Sequence, residues 1–271
     1  MNAVQDPALP RQSPWIYNWF RKYCIRYARR HFNAVRLSLG SSAIPQTDGQ
    51  PLIFVLNHPS WWDTVIGIVL VNRLPAYRHF APIDAAMLPK YRFFGRLGFF
   101  GIEATPRGAA RFLRTTQAVF AEPYRAMWIT AQGKFVDPRV RPIELQPGVG
   151  YVASRLKRGL VIPVALEYAF WEESKPEALI RIGEPLPLSD DPNADGRAWT
   201  ARIETALTAT QDALALETMQ RDPRNFENLV TGTGGVGGMY DRWRRIKAWA
   251  HGRRFDPSHS TPTVDAEGNP R

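Results

Sequence analysis

Hydrophobic and polar positions change rhythm several times along this chain. Residues 14–39 mix aromatic and basic side chains, and Trp15, Trp19, Lys22 and Arg26 fall at helical spacing. This predicts a helix with an aromatic and a basic face, packed on its own domain or laid on a membrane surface. Gly40–Gln50 carries Ser, Pro, Asp and Gly and reads as a linker. Residues 51–57, PLIFVLN, form an unbroken apolar run of strand length, the pattern of a central strand buried on both faces. Further strands are expected at 79–83, 99–102, 126–130, 160–168 and 179–182, and helices at 64–71, 107–121, 148–158 and 198–219. Strands alternating with helices predict an α/β fold: a mixed, largely parallel sheet flanked by helices, behind an N-terminal amphipathic helical segment. After Arg221 the composition shifts to a glycine-rich run (232–238), a basic aromatic stretch (240–255) and a polar tail from Asp256. The expected division is residues 1–45 for the tail and basic helix and 46–220 for the main domain. Residues 221–271 then hold the glycine-rich loop, a basic aromatic helix and a flexible tail.

Composition narrows the partners. Hydrophobic residues are 44% of the 271, which predicts a folded core rather than disorder. Nine Trp in a chain that is 12% aromatic suit interfaces and membrane edges, where an apolar ring with a polar N–H is at home. The formal charge of +10 calls for something anionic: nucleic acid, acidic lipid or a phosphorylated substrate. The basic residues gather near both ends, in 11–36 and 242–254. The single cysteine, Cys24, excludes an internal disulfide, fits a reducing compartment, and has no evident partner that would make it a nucleophile. The longest apolar run, Val65–Val71, is far short of the about twenty residues that span a bilayer. Met1–Ser13 is polar and contains Pro, unlike a signal peptide. A peripheral location on the cytoplasmic face of the cell membrane is therefore expected.

The chemistry concentrates in VLNHPSWWD. The apolar strand ends at Asn57, His58 follows at once, and Asp63 comes five positions later. A histidine at a strand end has rigid backbone behind it and a cleft before it. Pro59 and Ser60 turn the chain, and a helix starting near Ser60 or Trp61, with Ser60 as N-cap, brings Asp63 back towards the imidazole. Moving an acyl group to a hydroxyl requires removal of a weakly acidic proton as the oxygen attacks, and neutral imidazole is suited to that. A carboxylate on the other ring nitrogen fixes the tautomer and stabilises the imidazolium that forms.

Asn57-His58-Pro59-Ser60-Trp61-Trp62-Asp63 resembles the first motif of the glycerolipid (lysophosphatidate-type) acyltransferases, His-x4-Asp. The resemblance covers about residues 51–186. It implies that His58 is the general base, that Asp63 supports it, and that transfer is direct from acyl-CoA or acyl carrier protein to a lysophospholipid or other lipid hydroxyl. The family's second motif, a glycine-rich strand followed by a phosphate-binding arginine, is similar to GRLGFFGIEATPRG, where Arg107 is the nearest arginine. Its third motif, approximately Pro-Glu-Gly-Thr-Arg, corresponds to Thr130-Ala131-Gln132-Gly133-Lys134-Phe135. The glycine is kept, Gln132 replaces the glutamate, and Lys134, Arg139 and Arg141 are the nearby cations. This marks a variant subgroup and leaves the acceptor open. The fourth motif, apolar-Pro-apolar, matches Val161-Ile162-Pro163-Val164. The implied substrate-binding set is Arg107, Gln132, Gly133, Lys134, Arg139 and Arg141. The implied partners are an anionic membrane surface, a lipid acceptor and an acyl donor, with no cofactor, metal or nucleic acid.

Other patterns are weaker. There is no Gly-x-Ser-x-Gly elbow, and no His/Cys cluster has metal-ligand spacing. Gly232-Thr-Gly-Gly-Val-Gly237 fits the dinucleotide G-x-G-x-x-G pattern, but NFENLV before it makes a poor strand and the following stretch is basic. The competing reading is a basic nucleic-acid-binding or nucleotide-binding protein, drawn from the charge, the aromatics and that glycine run.

Overall fold

The computed structural model describes residues 10, 12–44, 48–90 and 92–232; for residues 89–92 no side chain is described. Among the described residues nine strands form one sheet. The strands are β1 (Ala34–Ser38), β2 (Leu52–Leu56), β3 (Arg78–Asp84), β4 (Phe99–Ile102), β5 (Arg125–Thr130), β6 (Leu160–Ala169), β7 (Glu177–Ile182), β8 (Leu186–Pro187) and β9 (Phe226–Thr231). The helices are α1 (Pro14–His31), α2 (Asp63–Leu70), α3 (Met87–Lys90), α4 (Pro106–Phe120), α5 (Gly148–Arg155) and α6 (Gly196–Gln220). The sheet order is β4-β3-β5-β2-β6-β7-β1-β9, with β8 beside the start of β6. β4, β3, β5, β2 and β6 run parallel, β7 is antiparallel to β6, and β9 is antiparallel to β1.

The continuous apolar run of β2 follows from its place at the middle of this order. Leu52, Phe54 and Leu56 face the layer that holds α1 and α2, with Val65, Ile66 and Val69. Ile53 and Val55 face α4, α5 and α6, with Phe112, Val149, Trp199, Ile203 and Leu207. A parallel strand covered on both faces has no solvent side to carry polar residues. Phe54 also stacks on Trp128 of β5, with centroids 4.1 Å apart.

Local signals set the helix ends. Thr105 accepts from the Gly108 amide (2.9 Å) and Pro106 opens α4; Asp195 accepts from the Ala198 amide (2.8 Å) and opens α6. α1 opens on Pro14 and buries Phe20, Cys24 and Ala28, one residue per turn, while Arg29, Arg30 and His31 sit in its last turn, favourable for the helix dipole. α5 and α6 pack where Gly150 meets Gly196: a methyl group on Gly150 would lie 2.0 Å from the Gly196 carbonyl oxygen.

Three strands depart from the expectation; the shortest, β8, is a two-residue pairing with the start of β6. The helix predicted over 14–39 stops at His31, because Phe32 turns extended and residues 34–38 enter the sheet as β1. The charge that hides this strand is neutralised inside it. Buried Arg36 reaches Glu177 of β7 (Nε to Oε2 2.9 Å) and Asn228 of β9 (2.7 Å), and Asn33 also donates to Glu177 (2.6 Å). NFENLV, judged a poor strand, contributes most of β9. It is an edge strand that buries Phe226 and Val230 and exposes Glu227 and Asn228, so it has no apolar run to show. β1 and β9, from outside residues 46–220, thus pair with each other in the same sheet. The glycine run beyond Gly232, the basic aromatic stretch 240–255 and the tail lie outside the described residues.

Candidate active site

Loops at the C-terminal ends of the parallel strands build the site, the usual place for a ligand crevice in such sheets. His58 follows β2, and the segment 131–136 follows the neighbouring strand β5. The chain at His58 is held on three sides. Its amide donates to Gln132 Oε1 (2.8 Å), and its carbonyl accepts from the Val136 amide (2.9 Å). One residue earlier, the buried Asn57 side chain exchanges two hydrogen bonds with the Leu166 backbone on β6, at 2.9 and 2.7 Å. Asn57 thereby continues the pairing of β2 with β6 by side chain after the strand has ended.

The turn brings Asp63 back as the sequence predicts, by a slightly different route. Residues 61–62 form a turn and α2 starts at Asp63 itself, with Trp62 in the N-cap position. Ser60 is therefore not the cap; its hydroxyl accepts from the Trp62 amide (3.3 Å) inside the turn. Asp63 Oδ2 lies 2.6 Å from His58 Nδ1 and 3.2 Å from the Ser60 amide. Its other oxygen, Oδ1, accepts from the Tyr168 hydroxyl at 2.7 Å. The Asp63 side chain is 1% exposed and that of His58 is 21% exposed. As a carboxylate Asp63 can only accept, so Nδ1 carries the shared hydrogen and Nε2 keeps a lone pair. The exposed Phe135 ring lies against the imidazole, with centroids 4.5 Å apart. Burial, and then the charge of Asp63, push the Tyr168 hydroxyl well above its ordinary value, so it remains a neutral donor.

Gln132 is buried and spends its carbonyl oxygen on the His58 amide. Gly133 has φ +68, a left-handed conformation that glycine adopts at no steric cost, and a Cβ there would sit 3.1 Å from Gln146. Lys134 is exposed and makes no ion pair among the described residues. The two arginines of this loop are engaged. Arg139 grips Asp137 with its side chain (2.8 and 2.6 Å) and its amide (2.9 Å), which holds the Asp137 carboxyl below the usual carboxylate range. Arg141 donates to Asp212 on α6 (Nε, 3.1 Å) and to the carbonyls of Pro138 and Val140 (2.8 Å each). With Gln211 donating to the Pro138 carbonyl (3.0 Å), this ties the loop to α6. Arg107 is exposed in the first turn of α4, after β4. β4 stands three strands from β2, about 14 Å at the normal spacing.

The sequence matches no protein-family model and no curated protein. The chemistry of the site therefore stands on its geometry. A buried carboxylate with donors on both oxygens fixes one imidazole tautomer and leaves Nε2 as the ring's free base. This constellation can take a proton from a hydroxyl and return it to a leaving group. Tyr168 had no part in the sequence-based site, and Phe135 entered it only as the last residue of the third-motif segment, with no role assigned. Tyr168 is 105 residues from Asp63, and its only signal is its place near the end of a strand that outlasts its neighbour.

Proposed function

We propose that this protein is an O-acyltransferase acting at a membrane surface, with His58 as general base. The observation that carries the reading is the bond from His58 Nδ1 to the buried Asp63 carboxylate, which leaves Nε2 basic and the side chain partly open. In the proposed reaction Nε2 removes the hydroxyl proton of a lipid acceptor while that oxygen attacks the carbonyl carbon of an acyl thioester. The tetrahedral intermediate collapses, the C–S bond breaks, and the imidazolium returns the proton to the thiolate. Asp63 stabilises the imidazolium between the two steps. The donor is acyl-CoA or acyl carrier protein, and the acceptor a lysophospholipid or another lipid alcohol. Lys134, Arg139 and, further along the sheet, Arg107 are exposed cations offered to substrate phosphates.

The surface of α1 supports the membrane part of the reading. Trp15, Trp19 and Tyr23 are exposed. Rings follow one another from Trp19 to Tyr23 (6.0 Å), Tyr27 (5.6 Å) and Trp62 (5.2 Å), and the exposed Trp61 packs on Trp62 (5.5 Å). Lys22, Arg26, Arg29 and Arg30 are exposed on the same helix, which contains no carboxylate. Aromatic rings beside cations suit the interface of an anionic leaflet. No helix among the described residues is long and apolar enough to cross a membrane.

The test is acyl transfer from a labelled thioester to a panel of lysophospholipids and lipid alcohols, guided by lipid analysis of cells with and without the protein. His58→Ala should lose about 10²–10⁴ in kcat with the fold intact, and Asp63→Asn somewhat less. Transfer by His58→Ala at the wild-type rate rejects the mechanism.

A further inference from the structure

We infer that Tyr168 is a positioning residue of the active site, setting through Asp63 the proton affinity of the His58–Asp63 pair. The inference rests on the proposed general-base role of His58 for its catalytic meaning, though not for its geometry.

Asp63 has two oxygens and they are served differently. Oδ2 takes the His58 ring and the Ser60 amide, while Oδ1 takes the Tyr168 hydroxyl at 2.7 Å. Tyr168 sits on β6 beyond Val164, the partner of the last β2 residue, and its ring is packed by Phe32 at 5.8 Å, which also meets Trp62 at 4.8 Å. The hydroxyl is therefore brought to Oδ1 by a rigid strand and held by aromatic packing. A donor on Oδ1 does two things. It fixes the carboxylate plane, so that Oδ2 stays aimed at Nδ1. It also stabilises the negative charge, which lowers the readiness of the pair to hold a proton. Without it, the Asp63 charge is less shared, and the imidazolium that forms beside it is held more strongly.

Other titratable groups on the elements around the pair are differently occupied. Glu167, next to Tyr168, faces the other side of the sheet and bonds Thr218 of α6 (3.3 Å). Asp137 is taken by Arg139. On α1, Tyr27 and His31 pack on Trp62, at 5.2 and 5.3 Å, and Lys134 is exposed beside Gln132. Among the described residues, Tyr168 and the two members of the pair are the ionisable side chains with a hydrogen bond to Asp63 or His58.

The experiment is carried out on the full chain in two arms. In the first, the imidazole signals of the five histidines are titrated by NMR, with His58 assigned through His58→Ala. Tyr168→Phe should raise the His58 midpoint by about one pH unit, the scale of a hydrogen bond to a charged group. Fluorotyrosine at position 168 keeps the ring in place and makes the hydroxyl a stronger donor, so it should lower the midpoint. If Tyr168→Phe folds poorly, the fluorotyrosine protein alone decides. No movement in either protein, or a fall in the Tyr168→Phe midpoint (the sign expected if the hydroxyl only holds Oδ2 towards Nδ1), overturns the inference. The second arm is the acyl-transfer assay. The acid limb of kcat/KM should move with the NMR midpoint, kcat should fall about tenfold, and KM for the acceptor should stay unchanged. Shifted NMR midpoints in a protein without transferase activity would reject the proposed reaction and keep the role of Tyr168. Unshifted midpoints in an active enzyme would do the reverse.

Discussion

His79 should make the fold sensitive to mild acid, and the size of the effect follows from its surroundings. It lies on β3, buried, with Nε2 3.2 Å from the Leu74 carbonyl and Nδ1 accepting from the Trp128 indole N–H at 3.0 Å. Both ring nitrogens are thus committed in the neutral form, and protonation would turn the Trp128 contact into two donors facing each other. Burial pushes the His79 pKa down from 6.5 to about 4. The unfolded chain therefore binds this proton below about pH 6.5, and the folded protein only below about pH 4. Stability from His79 is complete above pH 6.5, declines as the pH falls, and is gone below pH 4. At 1.36 kcal/mol per pH unit the full span is about 3 kcal/mol, and about 2–3 kcal/mol is already lost at pH 4.5. Urea unfolding at pH 7.5 and 4.5, for wild type and for His79→Gln, measures it. The variant cannot titrate at this position, so its loss of stability on acidification should be smaller than that of wild type by about that amount. Equal losses in the two proteins would falsify the linkage.

Three further perturbations follow from packing and charge. Glu177→Ala leaves buried Arg36 with Asn228 but without its carboxylate, and should cost about 3–5 kcal/mol in urea unfolding; Arg36→Met in the same chain should recover part of that. Gly150→Ala drives a methyl group into the Gly196 carbonyl and should lower Tm, whereas Gly67→Ala in α2, where a Cβ meets nothing within 4 Å, should raise stability by about 0.5–1 kcal/mol. Replacing Lys22, Arg26, Arg29 and Arg30 with Gln should weaken binding to anionic vesicles by about 10³-fold, at about 1 kcal/mol per cation; unchanged co-sedimentation would remove α1 from the proposed membrane surface. Substitution is the right tool there, because a truncation through residue 40 would also delete β1 from the sheet.

What could be read from the sequence was what local pattern encodes. The runs that became β2 and the first part of β6, Leu160–Leu166, are buried on two faces and apolar, so each announces itself without knowledge of its neighbours. β1 does not, since AVRLS has an arginine at its centre that becomes tolerable only when Glu177 arrives from far along the chain. The same division holds for the site. His58 and Asp63 are joined by one turn, and their spacing is visible. Gln132 was legible as a candidate substrate-binding residue, yet its oxygen is turned onto the His58 amide, an arrangement set by β5 lying beside β2. Tyr168 depends on how far β6 extends past β2, which no window of sequence contains.

That difference in strand length is the physical origin of the site. β2 stops at Leu56, opposite Val164, while β6 continues to Ala169. Had β2 continued in register, His58 would have been drawn into the ladder, and its amide and carbonyl would have been spent on a neighbouring strand. Instead the Asn57 side chain satisfies the Leu166 backbone, and the His58 backbone is free to be taken by Gln132 and Val136 from the other side. The chain can then turn at Pro59 and return Asp63 beneath the imidazole, where the overhanging part of β6 supplies Tyr168. On the proposed reading this matters for rate as well as for folding. A base fixed through its backbone and through Nδ1 has little orientational freedom left to lose when the hydroxyl meets Nε2. The same turn carries Trp61 and Trp62, which join the rings of α1. Since α1 packs on the core through Phe20, Cys24 and Ala28, the surface proposed to meet the membrane and the base proposed to act there are anchored to the same core.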